Sequence, residues 1–129
     1  MSRLKPGDLQ LAILTVLWEQ GEATTARFHE ALTERKLALT TIATMLRKMD
    51  DRGLVRHRRE GRALVYSAAV DESEVRRSMV DDVVDRLFSG DPSSLVHHLV
   101  SEGEIDLDEL DALRQRVQAA RSARDGGNS

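Results

Sequence analysis

Between Leu54 and Ala68 the apolar spacing of this chain changes its period. Leu54-Val55-Arg56-His57-Arg58 and Ala63-Leu64-Val65-Tyr66-Ser67 are strand-compatible runs. Arg59-Glu60-Gly61-Arg62 separates them, with Gly61 free to take a positive φ in the turn. One hairpin inside otherwise helical spacing restricts the chain to a mainly α fold with a small β element.

Ahead of the hairpin the spacing predicts three helices. Asp8 is the expected cap of the first, whose apolar positions Leu11, Ile13, Leu14, Leu17 and Trp18 lead to Gly21 just past its end. Thr24 caps a short second helix through Ala26, Phe28, Ala31 and Leu32, which runs out near Lys36. The third begins at Leu39 or Thr40, buries Ile42, Met45, Leu46 and Met49, and stops at Gly53. Behind the hairpin, Asp71 with Glu74 opens a long helix carrying Val75, Met79, Val83, Val84, Leu87 and Phe88. Asp91-Pro92 starts another, through Leu95, Val96, Leu99 and Val100, and Asp106 with Glu109 starts the last, through Leu107, Leu110, Leu113 and Val117. From Arg121 to Ser129 the chain is polar and is expected to fray.

Composition narrows the function. In 129 residues only 3% are aromatic, so the core must be aliphatic. No apolar run reaches the roughly 18 to 20 residues of a membrane span, and Met1 to Pro6 lacks an apolar leader core, so a cytoplasmic protein is expected. The absence of cysteine removes disulfides, thiolate metal sites and cysteine nucleophiles together. The net charge of −3 hides an asymmetry: residues 1–68 hold 12 Lys/Arg against 8 Asp/Glu, and residues 69–129 hold 7 against 14. A basic half followed by an acidic half suggests that the first meets a polyanion.

Three helices and a basic hairpin follow the order of a winged helix-turn-helix, in which the third helix enters the major groove of double-stranded DNA. With Ile42, Met45, Leu46 and Met49 inward, helix three offers Thr40, Thr44, Arg47 and Lys48 outward, with Thr41 at the flank. Hydroxyls and amides at a helix start suit phosphate, and threonine can meet a thymine methyl or a base edge. Between residues 52 and 62 stand Arg52, Arg56, Arg58, Arg59 and Arg62 against one acid, Glu60. The expected DNA-contacting set is Thr40, Thr41, Thr44, Arg47 and Lys48 from the helix, with Arg58, Arg59 and Arg62 from the wing.

Two other functions fit the same architecture: a protein-binding winged-helix adaptor, which would need an apolar patch on helix three or the wing, and a DNA-binding activator. An enzyme is not expected. No Ser/His/Asp constellation or Gly-rich phosphate loop is present, and Asp50-Asp51 and Asp81-Asp82 read as solvated helix faces. His97 and His98 are adjacent and would diverge on a helix, while His29 and His57 lie in separate elements, so neither a metal nor any other cofactor is expected.

Residues 37–67, LALTTIATMLRKMDDRGLVRHRREGRALVYS, and 7–32, GDLQLAILTVLWEQGEATTARFHEAL, closely resemble the penicillinase repressor family, the BlaI/MecI/CopY group of winged-helix transcriptional repressors. The segment SSLVHHLVSEGEIDLDELDALRQRV at 93–117 resembles that family's C-terminal region, so the likeness covers nearly the whole chain. Its carriers are Leu17-Trp18 with Gly21, Thr40-Thr41, and Gly61-Arg62-Ala63 running to Tyr66-Ser67.

The resemblance implies a homodimer that represses transcription from a palindromic operator. It places dimerisation beyond about residue 70, so that with the element reading the chain divides into a winged helix-turn-helix domain at 1–70, a three-helix dimerisation region at 71–121 and a flexible tail at 122–129. Val75, Met79, Val83, Leu87, Leu95, Leu99, Leu110 and Leu113 exceed what three such helices can cover and are the expected dimer seam. Leu39 stands where many members carry tyrosine, so contacts from that ring do not carry over. Copper sensing through thiolates is excluded by the lack of cysteine. In the antibiotic-responsive branch a membrane sensor protease leads to cleavage in the dimerisation region, at an Asn-Phe bond in the best-known members, whereas the matching pair here is His98-Leu99, which leaves proteolytic induction open.

Overall fold

The computed structural model describes the backbone of residues 5–126. Its elements are helix α1 (Asp8–Gln20), strand β1 (Glu22–Thr24), helix α2 (Thr25–Ala31), a 3₁₀ turn (Thr33–Arg35), helix α3 (Leu39–Asp51), strands β2 (Val55–Glu60) and β3 (Ala63–Ala68), and helices α4 (Glu72–Leu87), α5 (Pro92–Ser101) and α6 (Leu107–Gly126). The three expected helices, the hairpin and the three later helices are all present, and they form a mainly α chain with a small antiparallel sheet.

Local chemistry explains most of the boundaries. Thr24 accepts the Arg27 amide at 3.2 Å and so caps α2, and Asp91 accepts the Ser93 amide at 3.1 Å ahead of Pro92 at the start of α5. Asp106 takes the Glu109 amide at 2.7 Å as α6 begins. Gly21 ends α1 at φ +85°, where its amide returns to the Leu17 carbonyl at 2.7 Å.

Four expectations are corrected. The cap of α1 is Gly7, whose amide donates to Gln10 Oε1 at 3.1 Å. Asp8 is already inside the first turn, where its carboxylate favours the positive helix end and pairs with Arg35 at 2.9 Å. The hairpin turn is shorter than the four residues expected: Glu60 pairs with Ala63, leaving only Gly61-Arg62 between the strands, with Gly61 at φ +62°. The single hairpin expected gains a third strand, β1, which pairs with β3 and makes a three-stranded sheet of order β1-β3-β2. Finally, α6 continues to Gly126, so the expected tail is helical at 122–126, while 127–129 lie outside the described residues.

The chain forms two compact units, the first running to Asp82 and the second from Val83. The core of the first gathers Ile13, Leu14 and Leu17 of α1, Phe28 of α2, and Ile42, Leu46 and Met49 of α3, with Val55 and Tyr66 from the sheet. Phe28 meets Tyr66 edge-on, ring centroids 6.5 Å apart, and is the bulkiest fully buried side chain. Val75 of α4 joins this core at 1% exposure, and Met79 packs against it. That burial is why the first unit extends beyond residue 70. It also removes Val75 from the expected dimer seam, because its side chain is already covered within its own chain.

The second unit is thinly covered. Leu87 is 73% exposed and Leu107 74% exposed, with Val83, Val96, Leu113 and Val117 also exposed, whereas Leu95, Leu99 and Leu110 are half-buried. Among its described residues the buried apolar side chain is Val84.

Candidate nucleic-acid interface

Helix α3 is amphipathic in the expected sense. Ile42, Leu46 and Met49 are fully buried and Met45 half-buried, which fixes Thr40, Thr41, Thr44, Arg47 and Lys48 on exposed positions. Ala38 precedes the helix and supplies no side-chain cap. The leading amides of α3 therefore meet no capping side chain, and Thr40 and Thr41 stand beside them in the first turn. Leu39, 48% exposed, is an apolar residue at the same end.

The register of the sheet sorts the wing. Pairings Val55↔Ala68, His57↔Tyr66 and Arg59↔Leu64 share one face, and Arg56↔Ser67, Arg58↔Val65 and Glu60↔Ala63 share the other. Arg58 and Arg59, adjacent in sequence and expected to act alike, thus point to opposite faces. All three expected wing arginines are exposed, with Arg62 in the turn itself.

Their partners differ. Arg58 is forked between Glu60 and, across β3, Glu22 of β1, at 2.7 Å each. These hydrogen bonds, Glu60 first and then Glu22, raise its pKa above the ordinary guanidinium value. Among the described residues no carboxylate lies within ion-pair distance of Arg47, Lys48, Arg52, Arg56, Arg59 or Arg62. Arg56, left out of the expected contact set, belongs with these uncompensated cations. The missing signal for Arg58 was Glu22, distant in sequence and brought close only by β1.

A second side-chain link ties the wing to α3. His57 Nδ1 of β2 is paired with Asp50 Oδ2 in the last turn of α3. The His57 ring lies 5.9 Å from that of Tyr66, which continues edge-on to Phe28 of α2. Burial chiefly pushes the Tyr66 phenol above its usual pKa; the Asp50 charge adds to the rise and Arg47 opposes it. Asp50, read as part of a solvated pair, is thus a junction residue.

The remaining histidines do not assemble. His97 bonds Ser101 Oγ at 3.2 Å, and His98 stacks at a tilt 5.8 Å from Phe88. Among the described residues no group of three or more His, Cys, Asp or Glu could hold a metal, and no helix is long and apolar enough to cross a membrane.

A family model described as penicillinase repressor matches residues 6–119. The chain is 37% identical over 114 residues to the transcriptional regulator BlaI of Mycobacterium tuberculosis, covering 86% of this chain and 81% of that protein. It is 25% identical over 112 residues to the penicillinase repressor of Bacillus licheniformis, covering 86% and 88%. Among solved structures, the solution structure of monomeric Bacillus licheniformis BlaI in complex with the blaP half-operator aligns at 28% identity, with a TM-score of 0.48 over 57% of this chain and 90% of that one.

Proposed function

The chain belongs to the penicillinase repressor family of DNA-binding transcriptional repressors, and from that premise we propose that it acts as a homodimer on a two-fold operator. Each protomer presents α3 to the major groove and its hairpin to the adjoining backbone. The family is one of repressors rather than enzymes, and operator binding implies a cytoplasmic location.

The observation that carries this reading is the coincidence on one unit of an exposed, uncapped α3 and a hairpin rich in uncompensated arginine. Thr40, Thr41 and Thr44 would meet base edges and phosphate, and Arg47 and Lys48 would reach further along the groove. Arg59 and Arg62 would neutralise phosphate directly. Arg58 would do so only by exchanging Glu22 and Glu60 for DNA. Two-fold symmetry sets half-sites about 34 Å apart, or a multiple of that.

We assign dimerisation to the helical region that follows the winged helix-turn-helix. Its support is the exposed apolar surface at Val83 and Leu87 of α4 and Leu113 of α6, with Met79 of α4, Leu95 and Leu99 of α5 and Leu110 of α6 half-buried. A protease, whether a membrane sensor or one acting downstream of it, would have to open α5 before cutting His98–Leu99, because that bond lies within the helix.

The test is selection of bound fragments from the source genome, followed by binding of a recovered duplex across a salt series. Recovered sites with two-fold symmetry and a steep fall of affinity with salt are expected. Absence of salt-dependent binding to any duplex would overturn the reading in favour of a protein-binding adaptor.

A further inference from the structure

Arg47 and Asp50 stand three residues apart on α3, a spacing at which opposite charges on a helix surface commonly pair. Elsewhere such pairs do form: Arg27 with Glu30 at 3.1 Å, and Asp111 with Arg114 at 2.8 Å. At α3 the pair does not. No described carboxylate is within ion-pair distance of Arg47, and the Asp50 carboxylate is bonded to His57 instead.

We propose that His57 is a positioning residue for operator binding: it holds Asp50 away from Arg47, leaving that guanidinium free for DNA.

The same bond joins the hairpin to α3. Asp50 belongs to α3, His57 to β2, and His57 is the register partner of Tyr66 on β3. Tyr66 in turn packs edge-on against Phe28 of α2. Four elements of the first unit are thereby joined by one run of side chains. Asp50 of α3 bonds the imidazole and Tyr66 of β3 lies beside it, and the charges of Asp50 and Arg47 are both within Coulomb reach of the Tyr66 phenol. His57 holds Asp50 by donating Nδ1–H to its carboxylate.

Removing His57 frees Asp50 for its helical neighbour. Arg47 then carries an intramolecular counter-charge that DNA must displace, and one phosphate contact per protomer is weakened. Removing Asp50 as well restores the free arginine. A purely structural role for His57 has no such rescue, since the double variant lacks the α3–β2 bond entirely.

The inference rests on the reading that α3 contacts DNA, and the experiment separates the two. Anisotropy of a fluorescent duplex carrying a genome-selected site is measured from 50 to 300 mM salt for the wild type, Arg47→Gln, His57→Gln, Asp50→Asn and His57→Gln/Asp50→Asn, each checked for folding by thermal melting. Arg47→Gln should lower the slope of log affinity against log salt by about 0.9 per protomer, the value of one phosphate contact on duplex DNA. His57→Gln should lower it comparably, Asp50→Asn should not lower it, and the double variant should return to the wild-type slope. An unchanged slope in His57→Gln, or no recovery in the double variant, overturns the proposal while leaving DNA binding intact. A wild-type slope near zero overturns both, and an unaffected Arg47→Gln overturns the role of Arg47 and this proposal with it. Should His57→Gln fail to fold, a reduced slope in Asp50→Asn would itself overturn the inference.

Discussion

The Trp18 indole donates its N–H to the backbone carbonyl of Val70 at 3.1 Å, bonding α1 to the segment that leaves the hairpin and enters α4. Trp18 is half-buried against the core that Val75 completes a turn later. Replacing it by Phe keeps an aromatic ring but strands that carbonyl. Trp18→Phe should lower unfolding stability by about 1–2 kcal/mol, read as a shift of the urea midpoint by circular dichroism. A variant with an unchanged midpoint would show that the bond contributes nothing net.

The wing arginines should separate by partner rather than by position. Arg59→Gln and Arg62→Gln should each reduce the salt slope of operator binding by about 0.9 per protomer with little change in sequence preference. Arg58→Gln should reduce it clearly less, since its charge is already countered by Glu22 and Glu60. Equal slopes for all three variants would mean that the Arg58 fork opens on binding at no cost.

Tyr66 is the one tyrosine in the chain, so alkaline absorbance at 295 nm reads it alone. Burial, with Asp50 adding, raises its pKa above 10.0 in the folded protein. The folded state therefore keeps the proton to higher pH than the unfolded state does. Its contribution to stability is complete below pH 10 and is lost as pH rises through the folded value. The titration midpoint should lie above 10, drop toward it in urea, and fall modestly in Asp50→Asn.

Dimerisation should be sensitive to Leu87 and Leu113 and indifferent to Val75. Leu87→Lys or Leu113→Lys should weaken self-association at least about tenfold in sedimentation equilibrium while the melting of the first unit is retained, because burying one leucine contributes about 1.5–3 kcal/mol. Val75→Lys places a charge in a fully covered site and should unfold the first unit instead. Loss of self-association without unfolding in Val75→Lys would return that residue to the seam.

Much of this architecture is legible in the sequence because its causes are local. Thr24 and Asp91 cap helices through amides two or three residues away, and Ile42, Leu46 and Met49 repeat with the helical period. The exposed threonines and basic residues of α3 follow from that period alone. What was not legible depends on distance along the chain. A strand of three residues, β1, has no alternation to detect, and only its pairing with β3 gives it an identity. The fork at Arg58 needs Glu22 to arrive with that strand, and the Asp50–His57 pair needs the hairpin to fold back on α3. Val75 looked like a seam residue because helical periodicity marks an apolar face without saying what covers it.

The Gly61-Arg62 turn also limits how the wing can change over time. With only two residues joining β2 and β3, one residue inserted in either strand would exchange Arg56 and Arg58 with His57 and Arg59 across the sheet, breaking both the Glu22 fork and the Asp50 junction. The charge pattern of the hairpin can drift by substitution, but a change of its length by one would have to rebuild the sheet.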